Sequence, residues 1–202
     1  FMIGVSIGMP WWWAPINLLF APGVRMLLEA PLPPLFYLAG FCLLGLTNIS
    51  AVRGRVPLFI SSDKAARIVL SLLPRQRGFR MLDLGCGSGS VLVTLARARP
   101  DGRYVGVEMA PLSYAFSRWR ARKLPAMDVR WGDFWGYALS EYDVVYAYLS
   151  SEPMPRLWQK ARAEMRPGSL LISNGFIVPG VAPAQTIAVE DRIGSTLYLW
   201  RM

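Results

Sequence analysis

The stretch "MLDLGCGSGSVLVTLA", Met81 to Ala96, decides the fold. An apolar run leads into three glycines at every second position, Gly85, Gly87 and Gly89, and a second apolar run follows. The first run predicts a buried β-strand and the second an α-helix. Glycines between them let a ligand approach the backbone N–H groups at the positive end of the helix. The stretch therefore predicts a ligand site at the carboxyl end of a strand in an α/β sheet.

Strand and helix patterns alternate along the rest of the chain. "SSDKAARIVLSLLP" predicts a helix that Ser61 or Ser62 caps. The segment "QTIAVEDRIGSTLYLWRM" predicts two closing strands around an Arg-Ile-Gly turn. Further strands are predicted in "RYVGVEM", "MDVRWGDF", "EYDVVYAYL" and "GSLLISNGF", and further helices over Ser90–Arg99, Leu112–Lys123 and Pro153–Met165. Such alternation predicts an α/β, Rossmann-like sheet that is mostly parallel, with an antiparallel final strand.

Charge is distributed unevenly over the 202 residues. The first 52 residues hold one basic and one acidic residue, Arg25 and Glu29, so residues 53–202 carry the whole net charge of +9. The chain has no histidine, which excludes histidine-based acid–base catalysis and histidine-ligated metal sites. Cys42 and Cys86 do not have the spacing of metal ligands, so no metal is expected.

Residues 1–55 predict a membrane anchor, and residues 56–202 the α/β domain. The 23 uncharged residues 30–52 predict a transmembrane helix over about 31–52, long enough for a hydrocarbon core of about 30 Å. Residues 11–29, with three consecutive tryptophans, predict an interfacial helix or a first span. Arg53 and Arg55 place the domain on the cytoplasmic face, and a bacterial inner membrane is expected. A buried helical hairpin is the alternative for this region.

Three kinds of ligand compete for the glycine loop. A nucleoside triphosphate loop requires a Lys after its last glycine, and Ser90 stands there. A dinucleotide loop requires a Gly or Ala at that same position. The pattern that is present, Asp83-x-Gly85-x-Gly87-x-Gly89, resembles motif I of the Rossmann-like, class I S-adenosylmethionine-dependent methyltransferases.

This resemblance implies the cofactor S-adenosylmethionine, the product S-adenosylhomocysteine and a set of binding residues. Glu108 ends the second strand 19 residues after Gly89, where the family holds both ribose hydroxyls, and Met109 would flank the adenine. In "GDF", Asp133 would face the adenine amino group, with Phe134 or Trp135 as an apolar neighbour. The implied cofactor-binding residues are Asp83, Gly85, Cys86, Gly87, Gly89, Glu108, Met109, Asp133 and Phe134.

A narrower resemblance covers roughly residues 52–178. "VPLFISSDKAARIVL" followed by "DLGCGSGS" is similar to the membrane-anchored protein-lysine methyltransferases that act on the adenine nucleotide translocase and the ATP synthase c-subunit, and to their bacterial relatives. Ser88 departs from the pattern, because relatives commonly carry an acid before the last glycine. The resemblance implies a lysine of a membrane protein as the methyl acceptor, and a domain of about 150 residues without an inserted lid also favours a large substrate.

The methyl acceptor must be an unprotonated amine, so a group that takes its proton is expected near the methyl group. The chain has no histidine to take this proton. The candidates are instead the polar residues of "YAYLSSEP", which the pattern places after the fourth strand: Tyr146, Tyr148, Ser150 and Glu152. Packing, or capping of the next helix, is the alternative role for each of them. That segment lacks the Asp/Asn-Pro-Pro-aromatic motif of many amine-directed relatives, so no nucleic-acid substrate is expected.

Three further functions stay open at the level of sequence. A lipid or quinone-precursor methyltransferase would also explain an anchor. An RNA methyltransferase agrees with the positive charge, although no RNA-binding module is evident. A non-catalytic cofactor-binding membrane module would keep the same cofactor residues. The basic helix "SRWRARK", Ser117 to Lys123, predicts a solvated face or a surface that rests on anionic lipid.

Overall fold

The structure is a computed structural model that describes residues 13–30, 32–42, 45, 61–191 and 194–202. The chain divides into two compact units, one up to residue 43 and one from residue 44 onward. The predicted boundary at residues 55–56 falls within 46–60, outside the described residues.

The first unit contains helix α1, Trp13–Glu29, and a further helical stretch at residues 34–42. Within this unit the Tyr37 hydroxyl donates a hydrogen bond to the Leu27 carbonyl oxygen at 2.7 Å. Helix α1 corresponds to the segment predicted at residues 11–29. Of the predicted span 31–52, residues 31, 43, 44 and 46–52 lie outside the described residues.

Among the residues that the structure describes, no helix combines the length and the apolar character that crossing a membrane requires.

The second unit follows the predicted alternation closely. Helix α2 begins at Asp63, where the Ser62 side chain accepts a hydrogen bond from the Ala65 N–H, so the second of the two predicted caps is used. Two 3₁₀ turns lie at Phe134–Gly136 and Leu139–Glu141. The helices are α2 Asp63–Leu72, α3 Ser90–Ala98, α4 Pro111–Ala121 and α5 Met154–Glu164; the strands are β1 Arg80–Leu84, β2 Arg103–Glu108, β3 Met127–Trp131, β4 Val144–Ala147, β5 Leu170–Asn174, β6 Gln185–Ala188 and β7 Thr196–Arg201.

The seven strands form one sheet in the order β3-β2-β1-β4-β5-β7-β6. Strands β1 to β5 pair in parallel, whereas β7 runs antiparallel to both β5 and β6. The predicted Rossmann-like sheet with an antiparallel final strand is therefore confirmed. Strand β7 lies between β5 and β6. The predicted turn includes residues 192 and 193, which lie outside the described residues.

Alternating side chains of the strands fill two cores, one on each face of the sheet. Helices α2 and α3 pack on one face, where Val69 and Leu92 join Met81 of β1. Helix α5 covers the other face, where Leu157 joins Leu82 of β1. The strand order reverses between β1 and β4, so a crevice for a ligand is expected above their carboxyl ends.

Candidate active site

The glycine loop connects β1 to α3 in a conformation that only glycine adopts easily. Gly85, Gly87 and Gly89 have φ angles of +73°, +53° and +69°. The N–H groups of Gly85 and Cys86 both donate to the Val107 carbonyl oxygen, which fixes the loop against β2. Gly89 caps α3 without a side-chain hydrogen bond. The first-turn N–H groups of α3 therefore have no side-chain cap and face the end of the loop.

Glu108 joins the glycine loop to the loop after β2. Its side chain is buried, with 5% exposure. One carboxylate oxygen accepts the Gly87 N–H at 2.8 Å, and the other accepts the Ala110 N–H at 2.7 Å. Because a carboxylate oxygen can accept more than one hydrogen bond, both oxygens keep capacity for a pair of ligand hydroxyls. The structure thus orients this carboxylate rigidly at the position that the sequence assigns to ribose recognition.

Asp83 lies on the same face of the sheet as Glu108 and is also buried. Burial, and next the charge of Glu108, raise the pKa of Asp83 from 3.8 to about 8. Two buried carboxyl groups beside the loop disfavour an anionic ligand such as a pyrophosphate. They favour a ligand with positive charge. S-adenosylmethionine carries a sulfonium and an ammonium group, so the residues present fit this cofactor.

The Cys86 side chain points away from the open side of the loop. Its sulfur packs beneath β2, where a Cβ on Gly106 would approach it to 2.7 Å. Burial raises the pKa of this thiol well above its ordinary value. The predicted contribution of Cys86 to cofactor binding can therefore come from its backbone, whereas its thiol belongs to the core.

The residues predicted at the adenine lie beyond β2 and β3. Asp133 is exposed, and one of its carboxylate oxygens accepts the Trp135 N–H at 3.0 Å, so the residue caps a 3₁₀ turn. The other oxygen has no role in that cap. Phe134 is half-buried, with its ring centroid 4.8 Å from that of Trp135. The Met109 carbonyl oxygen accepts the indole N–H of Trp131 at 3.1 Å.

Of the four candidates predicted after the fourth strand, Tyr146 lies within β4 and is buried, whereas Tyr148, Ser150 and Glu152 follow the strand and are accessible. The Tyr146 hydroxyl is hydrogen-bonded to the Ser61 hydroxyl at 2.8 Å and accepts the Asn174 amide N–H at 3.1 Å. Burial is the main reason that the pKa of Tyr146 lies above its ordinary value. Tyr146 therefore stays protonated inside a network and is not placed to take a proton from a substrate. Tyr148 and Ser150 are half-buried, and Glu152 is exposed.

Sequence reasoning missed the part of the site that β5 contributes. Asn174 ends β5 fully buried, and its side-chain oxygen has no hydrogen-bond partner among the residues that the structure describes. Next to it, Gly175 has a φ of +79°, and a Cβ there would lie 3.2 Å from the Tyr148 ring. The Phe176 ring centroid lies 6.4 Å from that of Tyr148. The Asn-Gly pair that ends "LLISNG" was the available signal, because it marks a strand end with a positive φ.

The site therefore has two halves along one sheet edge. The acidic half consists of the glycine loop, Asp83 and Glu108, above β1 and β2. The hydroxyl half consists of Tyr146, Tyr148, Ser150 and Asn174, above β4 and β5. Because β1 and β4 are neighbours in the sheet, the two halves meet at the point where the strand order reverses.

A family comparison matches the segment that contains both halves. Residues 83–185 match the ANTKMT methyltransferase domain. A protein-lysine N-methyltransferase of Saccharolobus islandicus is 28% identical over 149 residues, which cover 72% of this chain and 92% of that protein.

Two mouse proteins are also similar to this chain. The adenine nucleotide translocase lysine N-methyltransferase is 28% identical over 70% of this chain. The lysine N-methyltransferase of the ATP synthase c-subunit is 27% identical over 65% of this chain. The matches span 63% and 53% of the mouse proteins' own lengths.

Solved structures are also similar to this chain. An RNA methyltransferase from Salinibacter ruber in complex with S-adenosyl-L-homocysteine has a TM-score of 0.64 and 26% identity, covering 71% of this chain and 93% of that one. A precorrin-6y C5,15-methyltransferase from Geobacter metallireducens, at 18% identity and a TM-score of 0.56, shows the same fold. The chain belongs to the family of the ANTKMT methyltransferase domain and is an S-adenosylmethionine-dependent methyltransferase.

Proposed function

We propose that this protein is a protein-lysine N-methyltransferase that acts on a membrane protein. The observation that carries the proposal is the family match over residues 83–185, because that segment includes both the acidic half and the hydroxyl half of the site. The names of the Saccharolobus and mouse relatives, all lysine N-methyltransferases, support the same acceptor.

The residues of this chain suit transfer to an amine. Bound S-adenosylmethionine supplies an electrophilic methyl group, so the protein has to align the acceptor, exclude water and remove one proton. Asp83, Gly87 and Glu108 would hold the cofactor, with Met109, Asp133 and Phe134 around the adenine. Tyr148 and Ser150 would accept hydrogen bonds from the lysine amine and orient it, and the proton of its ammonium form would pass to the Glu152 carboxylate or to water.

The aromatic pair of Tyr148 and Phe176 gives the acceptor a desolvated approach. Both rings are half-buried, and their centroids are 6.4 Å apart. The aliphatic stem of a lysine fits against such rings, and a methylated ammonium is attracted to their faces. Gly175 keeps space for the Tyr148 ring, since a side chain at this position would crowd it.

We further propose that residues 1–55 associate with membrane lipid and hold the domain at the cytoplasmic face, in a bacterial inner membrane. Support comes from large apolar side chains that the described part of the first unit exposes to solvent, each at least 60% exposed: Leu18, Leu19, Phe20, Met26, Leu28, Leu35, Phe36 and Phe41. So many exposed, large apolar side chains in a short stretch of chain are typical of a lipid or protein contact. Retention of the full chain in membranes after alkaline extraction would support the proposal, and complete release would contradict it.

Methyl-labelled cofactor tests the acceptor class directly. The full chain is incubated with methyl-tritiated S-adenosylmethionine and membranes of its source, and protein, lipid and RNA are then separated. We expect label in a protein band that yields methyl-lysine on hydrolysis, and loss of the label with Glu108→Ala. Glu141→Ala is the matched control, since Glu141 forms an exposed ion pair with Arg80 on β1.

Other distributions of the label favour the alternatives. Label in lipid would indicate a lipid or quinone-precursor methyltransferase. Label in RNA would indicate an RNA methyltransferase, a second candidate function that the similarity to the Salinibacter RNA methyltransferase supports. Cofactor binding without any labelled product would indicate a non-catalytic module.

A further inference from the structure

Helix α4 has an unusual distribution of large and small side chains. Its buried residues are Ser117 and Ala121, both small. Leu112, Phe116 and Trp119 lie at positions i, i+4 and i+7 on one helical face and are 40%, 49% and 60% exposed. The apolar stripe of this helix therefore faces solvent instead of the sheet.

The exposed aromatic side chains are ordered against each other. The rings of Phe116 and Trp119 stack with centroids 5.9 Å apart and planes inclined by 28°. The Arg120 guanidinium lies 5.7 Å from the centre of the Phe116 ring, and it also donates a hydrogen bond to the Ser88 carbonyl oxygen. The aromatic surface is thus preformed before any partner arrives.

Basic side chains line a groove on one side of this surface. A groove of about 420 Å³ beside Trp119 is lined by Arg97, Arg120, Arg122 and Lys123. Asp128 pairs with Arg118 and Arg130. Within the described part of the chain, Arg97, Arg122 and Lys123 have no carboxylate within 4.0 Å. The groove therefore carries uncompensated positive charge next to an apolar stripe.

We infer that the outer face of α4 docks onto an anionic phospholipid surface. We call this surface the α4 face. It consists of Leu112, Phe116 and Trp119 of α4, Arg97 of α3, and Arg122 and Lys123, which follow α4. Tryptophan and long basic side chains together suit the boundary between headgroups and acyl chains. Anionic headgroups complement the charge of the groove. The contact would use side chains other than those of residues 1–55, and it would orient the domain against the membrane whether or not methyl transfer occurs.

The test measures binding of the full chain to two vesicle types, pure phosphatidylcholine and phosphatidylcholine with about one-third phosphatidylglycerol. The ratio of the two affinities isolates the headgroup contribution, because apolar insertion by residues 1–55 contributes to both. We expect Arg97→Gln/Arg122→Gln/Lys123→Gln to reduce this ratio by about tenfold to 100-fold, as the loss of surface contacts by three basic residues predicts. Arg75→Gln/Arg77→Gln/Arg103→Gln removes the same charge from exposed positions elsewhere and should leave the ratio nearly unchanged.

Hydrogen exchange in the full chain gives a second, local readout. Anionic vesicles should slow exchange of the peptide covering residues 111–123, and Phe116→Gln/Trp119→Gln should remove that protection while cofactor binding stays intact. Equal loss of the affinity ratio in both triple variants would overturn the inference, as would the absence of protection in the unsubstituted chain. Protection of this peptide by single-stranded RNA at lower concentrations than by vesicles would assign the face to nucleic acid instead.

Discussion

The two halves of the active site use different chemistry at the same sheet edge. In the acidic half, a buried carboxylate accepts two backbone N–H groups and fixes a loop of three left-handed glycines. In the hydroxyl half, Tyr146, Ser61 and Asn174 form a neutral network of side chains. The first half suits a cationic cofactor, and the second suits a neutral amine that must not be held as an ammonium ion.

This difference also separates what each half needs for stability. The acidic half is organised by backbone conformation and by one carboxylate that the loop surrounds. The hydroxyl half depends on contacts between residues that are far apart in sequence, such as Ser61 and Tyr146, which are 85 positions apart. Substitutions should therefore affect cofactor binding in the first half and folding or turnover in the second.

The largest effect should come from Glu108→Gln. The amide keeps one acceptor but turns an N–H group toward a backbone N–H, and it loses the charge-assisted bonds. We expect the dissociation constant for S-adenosylmethionine to rise by about 100-fold, measured by calorimetry. An unchanged affinity, with the fold intact by circular dichroism, would show that Glu108 does not bind the cofactor.

Tyr148→Phe should reduce turnover without changing cofactor affinity. Loss of the hydroxyl that accepts a hydrogen bond from the amine and orients it predicts a fall in kcat of about 100-fold. Tyr198→Phe on β7 is the matched control and should retain full activity. If Tyr148→Phe keeps wild-type turnover, the ring has a packing role and the orientation of the amine is assigned to Ser150.

Tyr146→Phe should act on stability. It removes the hydroxyl between Ser61 and Asn174 and leaves the Asn174 amide N–H buried without its partner, at a cost of about 1–3 kcal/mol in the free energy of unfolding. Ser71→Ala, which removes an exposed hydroxyl from α2, should change it by less than about 0.5 kcal/mol. Equal effects of the two substitutions would show that the buried network adds nothing.

Asp83 should make cofactor affinity and stability respond to pH in opposite directions. The pKa of Asp83 is raised from 3.8 to about 8, so the folded chain binds more protons than the unfolded chain between these values. Its contribution therefore destabilises the unliganded fold increasingly from about pH 4 to about pH 8. A cationic ligand favours the ionised carboxyl, so cofactor affinity should rise with pH by at most about tenfold per unit. Asp83→Asn should flatten both curves, in urea unfolding and in calorimetry.

The smallest effect compares two glycines with similar backbone angles. Gly89 and Gly78 have φ angles of +69° and +74°, but a Cβ on Gly89 would lie 3.2 Å from the Ser117 Cβ on α4 and would displace the flexible end of Met127, whereas Gly78 has open space. Gly89→Ala should cost about 1 kcal/mol more than Gly78→Ala in the free energy of unfolding. Equal costs would show that backbone strain alone maintains the loop.

The acidic half was predictable because its information is local. Asp83 and the three glycines lie within seven consecutive positions. Glu108 stands at the end of the next strand, and a parallel sheet brings strand ends together. The strand and helix order was predictable for the same reason, since the period of apolar residues changes from element to element.

The hydroxyl half was only partly predictable, because its residues are distant in sequence and are brought together only by the pairing of the strands. Tyr146 fits a role in proton transfer by its position in the sequence, but its neighbours on β5 and before α2 bury it. The position of β7 between β5 and β6 was likewise set by pairing, not by the local pattern.

Helix α2 is fastened at its first turn to a distant part of the chain. The Ser62 hydroxyl donates to Asp191 at 2.8 Å, across 129 positions, and the Lys64 ammonium donates to the Glu190 carbonyl oxygen. Because contacts across so many residues carry a loop-closure entropy, we expect α2 to join the folded domain late and to detach early. Helix α2 packs on α3, the helix that begins at the glycine loop. We therefore expect these two hydrogen bonds to prolong the time during which the loop is folded and able to bind the cofactor.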